Sequence, residues 1–223
     1  MIFQNYDRIV FAGDSVTDMG SKQPVGEGLF DNLGHGFVRI VESLLSACYP
    51  DVNLRITNSG ISGNTSRDLL ERFDRDVISL KPDWLCICIG INDVWRQFDT
   101  PAIISDQVMP DEYTDNLEKM IVSAKDFAKG IFIATPYYIE INSQDKMRKR
   151  MNEYVEICKV LAAKYNCRLV NFQEMYENYC CFQHSSRIAW DRVHPNQIGA
   201  VLMAREFLRQ CDFDYNREMI SAE

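Results

Sequence analysis

The sequence predicts an α/β protein: a three-layer α/β/α sandwich built on a five-stranded parallel sheet. Three observations predict it. Short apolar runs and helix-period segments alternate five times along the chain. One of the runs, Trp84-Leu85-Cys86-Ile87-Cys88-Ile89, is apolar throughout, as a central parallel strand buried on both faces requires. The composition nowhere shifts as it would at a linker, and no segment repeats. The 223 residues are therefore read as one domain, 1–223, with a polar tail after about residue 213 that is expected to fray.

The elements follow in order. Arg8 to Phe11 reads as the first strand, and Gly13 closes it. A glycine-rich loop, Gly20 to Gly36, leads to a helix from Phe37 that stops near Tyr49-Pro50. Asn53 to Asn58 alternates as a second strand. After the loop Ser59-Gly60-Ile61-Ser62-Gly63-Asn64-Thr65, a helix capped by Thr65 or Ser66 carries Leu69, Leu70, Phe73, Val77 and Ile78 inward. The run from Trp84 is the third strand. Gly90-Ile91-Asn92-Asp93 ends it and opens a long connection to about Asp111, with a short helix around Pro101 to Asp106. A helix from Glu112 to Ala128 precedes the fourth strand, Gly130 to Thr135. A helix from Asp145 to Tyr165 precedes the fifth, Arg168 to Asn171. A short helix near Glu174 to Tyr179 and a last one from about Asn196 to Gln210 complete the chain.

A net charge of −8 disfavours both a nucleic-acid backbone and an anionic membrane surface as partners. No apolar run is long enough to span a membrane, and the first residues do not form a signal peptide. None of the eight cysteines forms a Cys-x-x-Cys pair, so reduced thiols and a cytoplasmic site are expected. No histidine pair or carboxylate cluster has metal-ligand spacing, and no cofactor is expected.

Ser15 follows the first strand in Gly13-Asp14-Ser15. Ligands of open α/β sheets gather at the carboxyl ends of the strands, so this serine is a candidate nucleophile. A serine nucleophile needs a base and a group to orient it. Of three histidines, His35 lies between glycines and His184 has no flanking acid. His194 lies in Asp191-Arg192-Val193-His194-Pro195, where the acid three residues back can reach Nδ1 and leave Nε2 facing a hydroxyl. Read alone, Asp191 is more often a loop-capping acid and His194 a surface residue. An oxyanion needs donors. Gly60 after the second strand, the Asn92 side chain after the third and the N–H of Ser15 itself are the candidates, although Gly60 and Asn92 taken singly read first as turn residues. Trp95, Phe98, Tyr137 and Tyr138 can stack on a sugar or simply pack. Trp95 and Tyr137 are the candidate substrate contacts.

Taken together, four blocks in order resemble the SGNH, or GDSL-type, hydrolases: Gly13-Asp14-Ser15 with Thr17-Asp18, Asn58-Ser59-Gly60-Ile61-Ser62-Gly63, Gly90-Ile91-Asn92-Asp93 and Asp191-Arg192-Val193-His194-Pro195. The resemblance spans about Val10 to Leu208. It implies a flavodoxin-like strand order 2-1-3-4-5. It also implies Ser15 as nucleophile, His194 as base, Asp191 as orienter, and an oxyanion hole of Ser15, Gly60 and Asn92. The opening segment and the Gly-Ile-Asn-Asp-Val-Trp run are most similar to carbohydrate acetyl esterases. A short-chain esterase or deacetylase is therefore expected. Lysophospholipase, thioesterase or acyl transfer are the alternatives within the family, and a carbohydrate-binding module without turnover is the alternative outside it. The sequence leaves the oligomeric state open.

Overall fold

The computed structural model describes residues 1–28 and 30–218. The chain runs β1 (Arg8–Gly13), α1 (Ser15–Asp18), β2 (Gly26–Glu27), α2 (Phe37–Cys48), β3 (Arg55–Gly60), α3 (Ser66–Asp76), β4 (Trp84–Cys88), α4 (Ile91–Asp99), α5 (Pro110–Ala124), β5 (Gly130–Ala134), α6 (Lys146–Tyr165), β6 (Arg168–Val170), α7 (Phe172–Cys180) and α8 (Gln197–Arg209). Helices α2, α7 and α8 contact one another, and α3, α4, α5 and α6 form a second connected group.

The sheet corrects the sequence expectation. It has six strands in the order β2-β3-β1-β4-β5-β6, not five in the order 2-1-3-4-5. The additional strand is β2, two residues inside the stretch read as a glycine-rich loop. It pairs antiparallel with β3, Gly26 opposite Asn58 and Glu27 opposite Thr57. Two residues carry no periodicity, so hydropathy cannot reveal such a strand. What holds it is specific: the Glu27 carboxylate accepts from Arg55 Nε at 2.6 Å and from the Thr57 hydroxyl at 3.3 Å. The remaining pairs are parallel.

The second correction concerns residues 91–99. They were read as a loop, but they form α4, which starts directly after Gly90. Ile91, Val94, Trp95 and Phe98 are spaced i, i+3, i+4, i+7, a helical stripe that buries Ile91 and Val94 and leaves Phe98 exposed at its end. Asn92 therefore sits in the first turn of a helix rather than in a loop, and of the expected helix at 101–106 only a 3-10 turn, Ile104–Asp106, exists.

The register explains why the loops of interest meet. Gly13 lies beside Gly60 in β3 and beside Cys88 in β4, so three strands end level. Burial holds them there. Phe11 at the centre of β1 is fully buried and meets Phe37 of α2 and Phe207 of α8, with ring centroids 5.6 and 4.9 Å apart. Each such phenyl removed from water contributes about 2–3 kcal/mol, more than any strand propensity. Helix α3 starts with a full capping box, Thr65 with Asp68, which resolves the choice of cap in favour of Thr65.

The tail is docked rather than frayed as far as it is described. Asp214 N donates to the Tyr49 hydroxyl at 3.0 Å, and Arg217 pairs with both oxygens of Asp51 at 2.6 and 2.8 Å. The last part of the expected polar tail, residues 219–223, lies outside the described residues.

Candidate active site

Ser15 is presented by a short, tightly built turn. Asp14 caps α1 by accepting from Val16 N at 3.0 Å, and the helix ends after one turn at Met19 in the left-handed conformation. Gly13 leaves no alternative at the strand end. A Cβ there would stand 2.3 Å from both the Cys88 carbonyl oxygen and the Thr17 hydroxyl. Ser15 itself stays half-buried at the carboxyl edge of the sheet.

The chain end of the site comes from the loop before α8. Asp191 Oδ2 accepts from His194 Nδ1 at 2.7 Å, while its Oδ1 accepts from the backbone N–H groups of Val193 at 3.0 Å and His194 at 2.8 Å. Burial acts to raise the Asp191 carboxyl, but these hydrogen bonds outweigh it and hold the group below the ordinary aspartate value. With Nδ1–H committed to Asp191, Nε2 is the free lone pair, and it lies 2.9 Å from Ser15 Oγ. Ser15, His194 and Asp191 are thus brought into one hydrogen-bonded line from positions 179 residues apart.

The loop is held from below by residues that sequence reasoning assigned otherwise. Tyr137, the second candidate substrate contact, is 1% exposed. Its hydroxyl donates to the Val193 carbonyl at 2.9 Å, and its ring lies 4.7 Å from that of Tyr176. A ring so enclosed cannot stack on substrate. It supports the His194 loop instead, together with Ile139 N, which donates to Arg192 O at 3.0 Å, and Glu140, which pairs with Arg192 at 2.6 Å. Trp95, the other candidate, is half-buried on α4 with its ring 5.8 Å from the His194 ring. His184 is exposed, and its ring bonds Ser186, two residues on.

The oxyanion candidates divide. The Asn92 side chain is buried, and its Nδ2 donates to the Asn64 carbonyl at 2.9 Å, which fixes the amide's orientation and leaves its second N–H free. Gly60 behaves otherwise than expected. Its N–H donates to Asn58 Oδ1 at 2.9 Å, and a Cβ on it would stand 2.3 Å from Asp18 N, so it is a close-packing glycine. Gly63, three residues on, has φ +86°, open space around its Cα, and an N–H with no protein acceptor among the described residues. A second glycine before Asn64-Thr65 was the available signal for it in the sequence. Among the described residues no group of three or more His, Cys, Asp and Glu side chains is arranged to hold a metal ion, and no helix is long and apolar enough to cross a membrane.

Two further acids lie buried beneath the site. Burial pushes Asp14 up to about 7 against the pull of the Val16 N–H, and the charge of Asp93 adds to the rise. Asp93, which accepts from Ser66 N, is likewise pushed up to about 7 by burial, against its bonds from Ser66. A carboxyl whose folded value lies above its unfolded value stabilises fully below the unfolded value and loses that contribution as pH rises through the folded one. The window here runs from about 4 to about 7. Asp14→Asn keeps the oxygen that caps α1 and removes the titration. Urea unfolding at pH 5, 6 and 7 is expected to show a shallower decline of stability for this variant, by at most about 1.4 kcal/mol per pH unit. An unchanged slope would mean that Asp14 is ionised across the range.

The GDSL-like Lipase/Acylhydrolase family profile matches residues 11–202. The chain belongs to this family. The GDSL-like hydrolase is 44% identical over 211 residues to an acetylxylan esterase from Geobacillus stearothermophilus, covering 95% of this chain and 96% of the relative. A crystal structure of acetylxylan esterase from that organism superposes with a TM-score of 0.96 at 43% identity, covering 98% of this chain and all of the other. Solved structures of that esterase include its catalytic mutants S15A, D191A and H194A. An alpha/beta hydrolase enzyme from the metagenome of Lake Arreo, Spain, matches with a TM-score of 0.92 at 41% identity, over 94% and 97% of the two chains. This GDSL-like hydrolase is accordingly an enzyme, a serine-hydrolase-type carboxylic ester hydrolase that works through an acyl-enzyme. A binding module without turnover is set aside.

Proposed function

We propose that the enzyme removes acetyl groups from xylose-based and related carbohydrates, with Ser15 as nucleophile, His194 as general base and Asp191 as its orienter. The observation that carries this reading is the line from Ser15 Oγ through His194 to Asp191, with steps of 2.9 and 2.7 Å. The relative's name supplies the acetyl and sugar parts, and the residues altered in its catalytic mutants have the types and numbers of Ser15, Asp191 and His194.

In this mechanism Ser15 Oγ forms a bond to the acetyl carbonyl carbon as its proton passes to Nε2. The negative oxygen of the tetrahedral intermediate is held by the N–H of Ser15, the free N–H of Asn92 Nδ2 and the N–H of Gly63, which takes the place first given to Gly60. The bond to the sugar oxygen breaks, and Nε2 returns its proton to that oxygen. Water, giving a proton to the same nitrogen, then attacks the acyl-serine; the bond to Ser15 Oγ breaks, Nε2 returns that proton to Oγ, and acetic acid is released. Asp191 keeps the ring in the tautomer that both half-reactions use. Trp95, half-buried against the His194 ring, is the residue placed to contact the sugar. All eight cysteines are free, which suits a reducing compartment and supports a cytoplasmic site.

The test is release of acetate from acetylated xylo-oligosaccharides, set against a series of p-nitrophenyl esters of increasing acyl length. Activity should fall as the chain lengthens beyond acetyl, and a fluorophosphonate should label the enzyme but not Ser15→Ala. A preference for long acyl chains or thioesters would replace the carbohydrate reading, and labelling of Ser15→Ala would remove Ser15 from its role.

A further inference from the structure

A single buried side chain binds together the loops from which the oxyanion donors come. Arg72 lies on α3, one helix away from the nucleophile, and is only 6% exposed. Its Nη2 donates to the Gly13 carbonyl at 3.0 Å and to the Ser59 carbonyl at 2.9 Å, at the carboxyl ends of β1 and β3. Its Nη1 donates to the Ser59 hydroxyl at 3.1 Å, and its Nε donates to Asn64 Oδ1 at 2.7 Å. Asp76, one helical turn on, balances the charge from 3.6 Å.

Two of these acceptors lie within two residues of a donor. Gly13 is two residues before Ser15. Asn64 follows Gly63 directly, and its carbonyl is the atom that Asn92 Nδ2 holds at 2.9 Å. The planar fork of a guanidinium can meet divergent carbonyls on two strands while its third nitrogen meets the loop that follows β3. An ammonium on a flexible stem cannot span the same set.

We propose that Arg72 is the positioning residue of the oxyanion hole. It sets the spacing between the Ser15 turn and the Gly63–Asn64 loop, and through Asn64 the direction of the Asn92 amide. It touches neither substrate nor reacting atoms. This inference rests on the reading of Asn92 and Ser15 as oxyanion donors. Donors that act only on the transition-state charge must be held within a fraction of an ångström, so a loosened clamp lowers kcat and leaves KM nearly alone.

The experiment is steady-state kinetics on p-nitrophenyl acetate with Arg72→Lys, Asn92→Ala and the double variant, each checked for folding by thermal unfolding. Arg72→Lys should fold and lose about 10²-fold in kcat, with KM within about 2-fold of the parent, as for a misplaced catalytic geometry. The acid limb of its pH–rate profile should not move, because the His194–Asp191 pair is untouched. In the Asn92→Ala background the further loss should be clearly smaller than in the parent, since both changes act on one device. If Arg72→Lys does not fold, Asn64→Ala, which removes only the Nε partner, carries the same test. It should lose about 10-fold in kcat, again not additively with Asn92→Ala. A folded Arg72→Lys within about 3-fold of the parent in kcat, or losses that multiply in full in the double variant, would overturn the proposal. A parent enzyme inert on p-nitrophenyl acetate would instead count against the function proposed above.

Discussion

His194→Ala is expected to lower kcat on p-nitrophenyl acetate by about 10⁴- to 10⁶-fold, the range found when a member of a serine–histidine pair is removed. The loss follows from the geometry. Nε2 at 2.9 Å is the acceptor for the Ser15 proton, and without it the hydroxyl would have to attack at its own, very unfavourable ionisation. Asp191→Asn tests the next link and should cost about 10⁴-fold by a different route. Asn Oδ1 can still accept from the Val193 and His194 N–H groups, so the loop survives. The amide NH₂ then faces Nδ1 in place of the carboxylate, and the ring must take the opposite tautomer, with Nε2–H pointing at Ser15. Activity in Asp191→Asn close to that of the parent would mean that the 2.7 Å contact orients nothing.

Asn92→Ala is expected to reduce kcat by about 10²- to 10³-fold with little change in KM, the cost of one oxyanion donor. The amide is buried and held at the Asn64 carbonyl, so its position is set before substrate arrives. Asn92→Asp is the sharper variant. It is nearly isosteric but offers no N–H to a negative oxygen and adds a like charge, so it should be at least as slow as Asn92→Ala. Equal activity of Asn92→Asp and the parent would exclude a donor role. Stopped-flow measurement of the first p-nitrophenolate release would place the loss in acylation.

What the sequence could and could not show follows from the range over which each feature is determined. The Asp191–His194 contact depends on a three-residue spacing, so it was legible as a local pattern. Its meeting with Ser15 was legible through the ordered blocks, because the parallel strands must end on a common edge. The role of Gly60 was misjudged for a reason of conformation. Whether a glycine is present to expose its N–H or to let another backbone approach depends on φ and on the contact with α1, 42 residues earlier in its Asp18. Tyr137 was misjudged because burial under Tyr176 and Val193 is a long-range fact. Helix α4 was missed although its Ile91, Val94, Trp95 and Phe98 stripe was visible, since Gly90 ends the strand with no loop between. Strand β2 lay below any periodic signal.

That small strand has a consequence for how copies of this enzyme behave at high concentration. The open side of a sheet is a template on which another chain can lay down a strand. Here β2 covers the middle of β3, and its Glu27 ties up the Arg55 and Thr57 side chains along the same margin. At the opposite margin β6 is three residues long and begins with an exposed arginine. Among the described residues neither margin offers a long, flat, apolar row of unpaired amides. Ribbon-to-ribbon growth from the folded state is disfavoured at both sides.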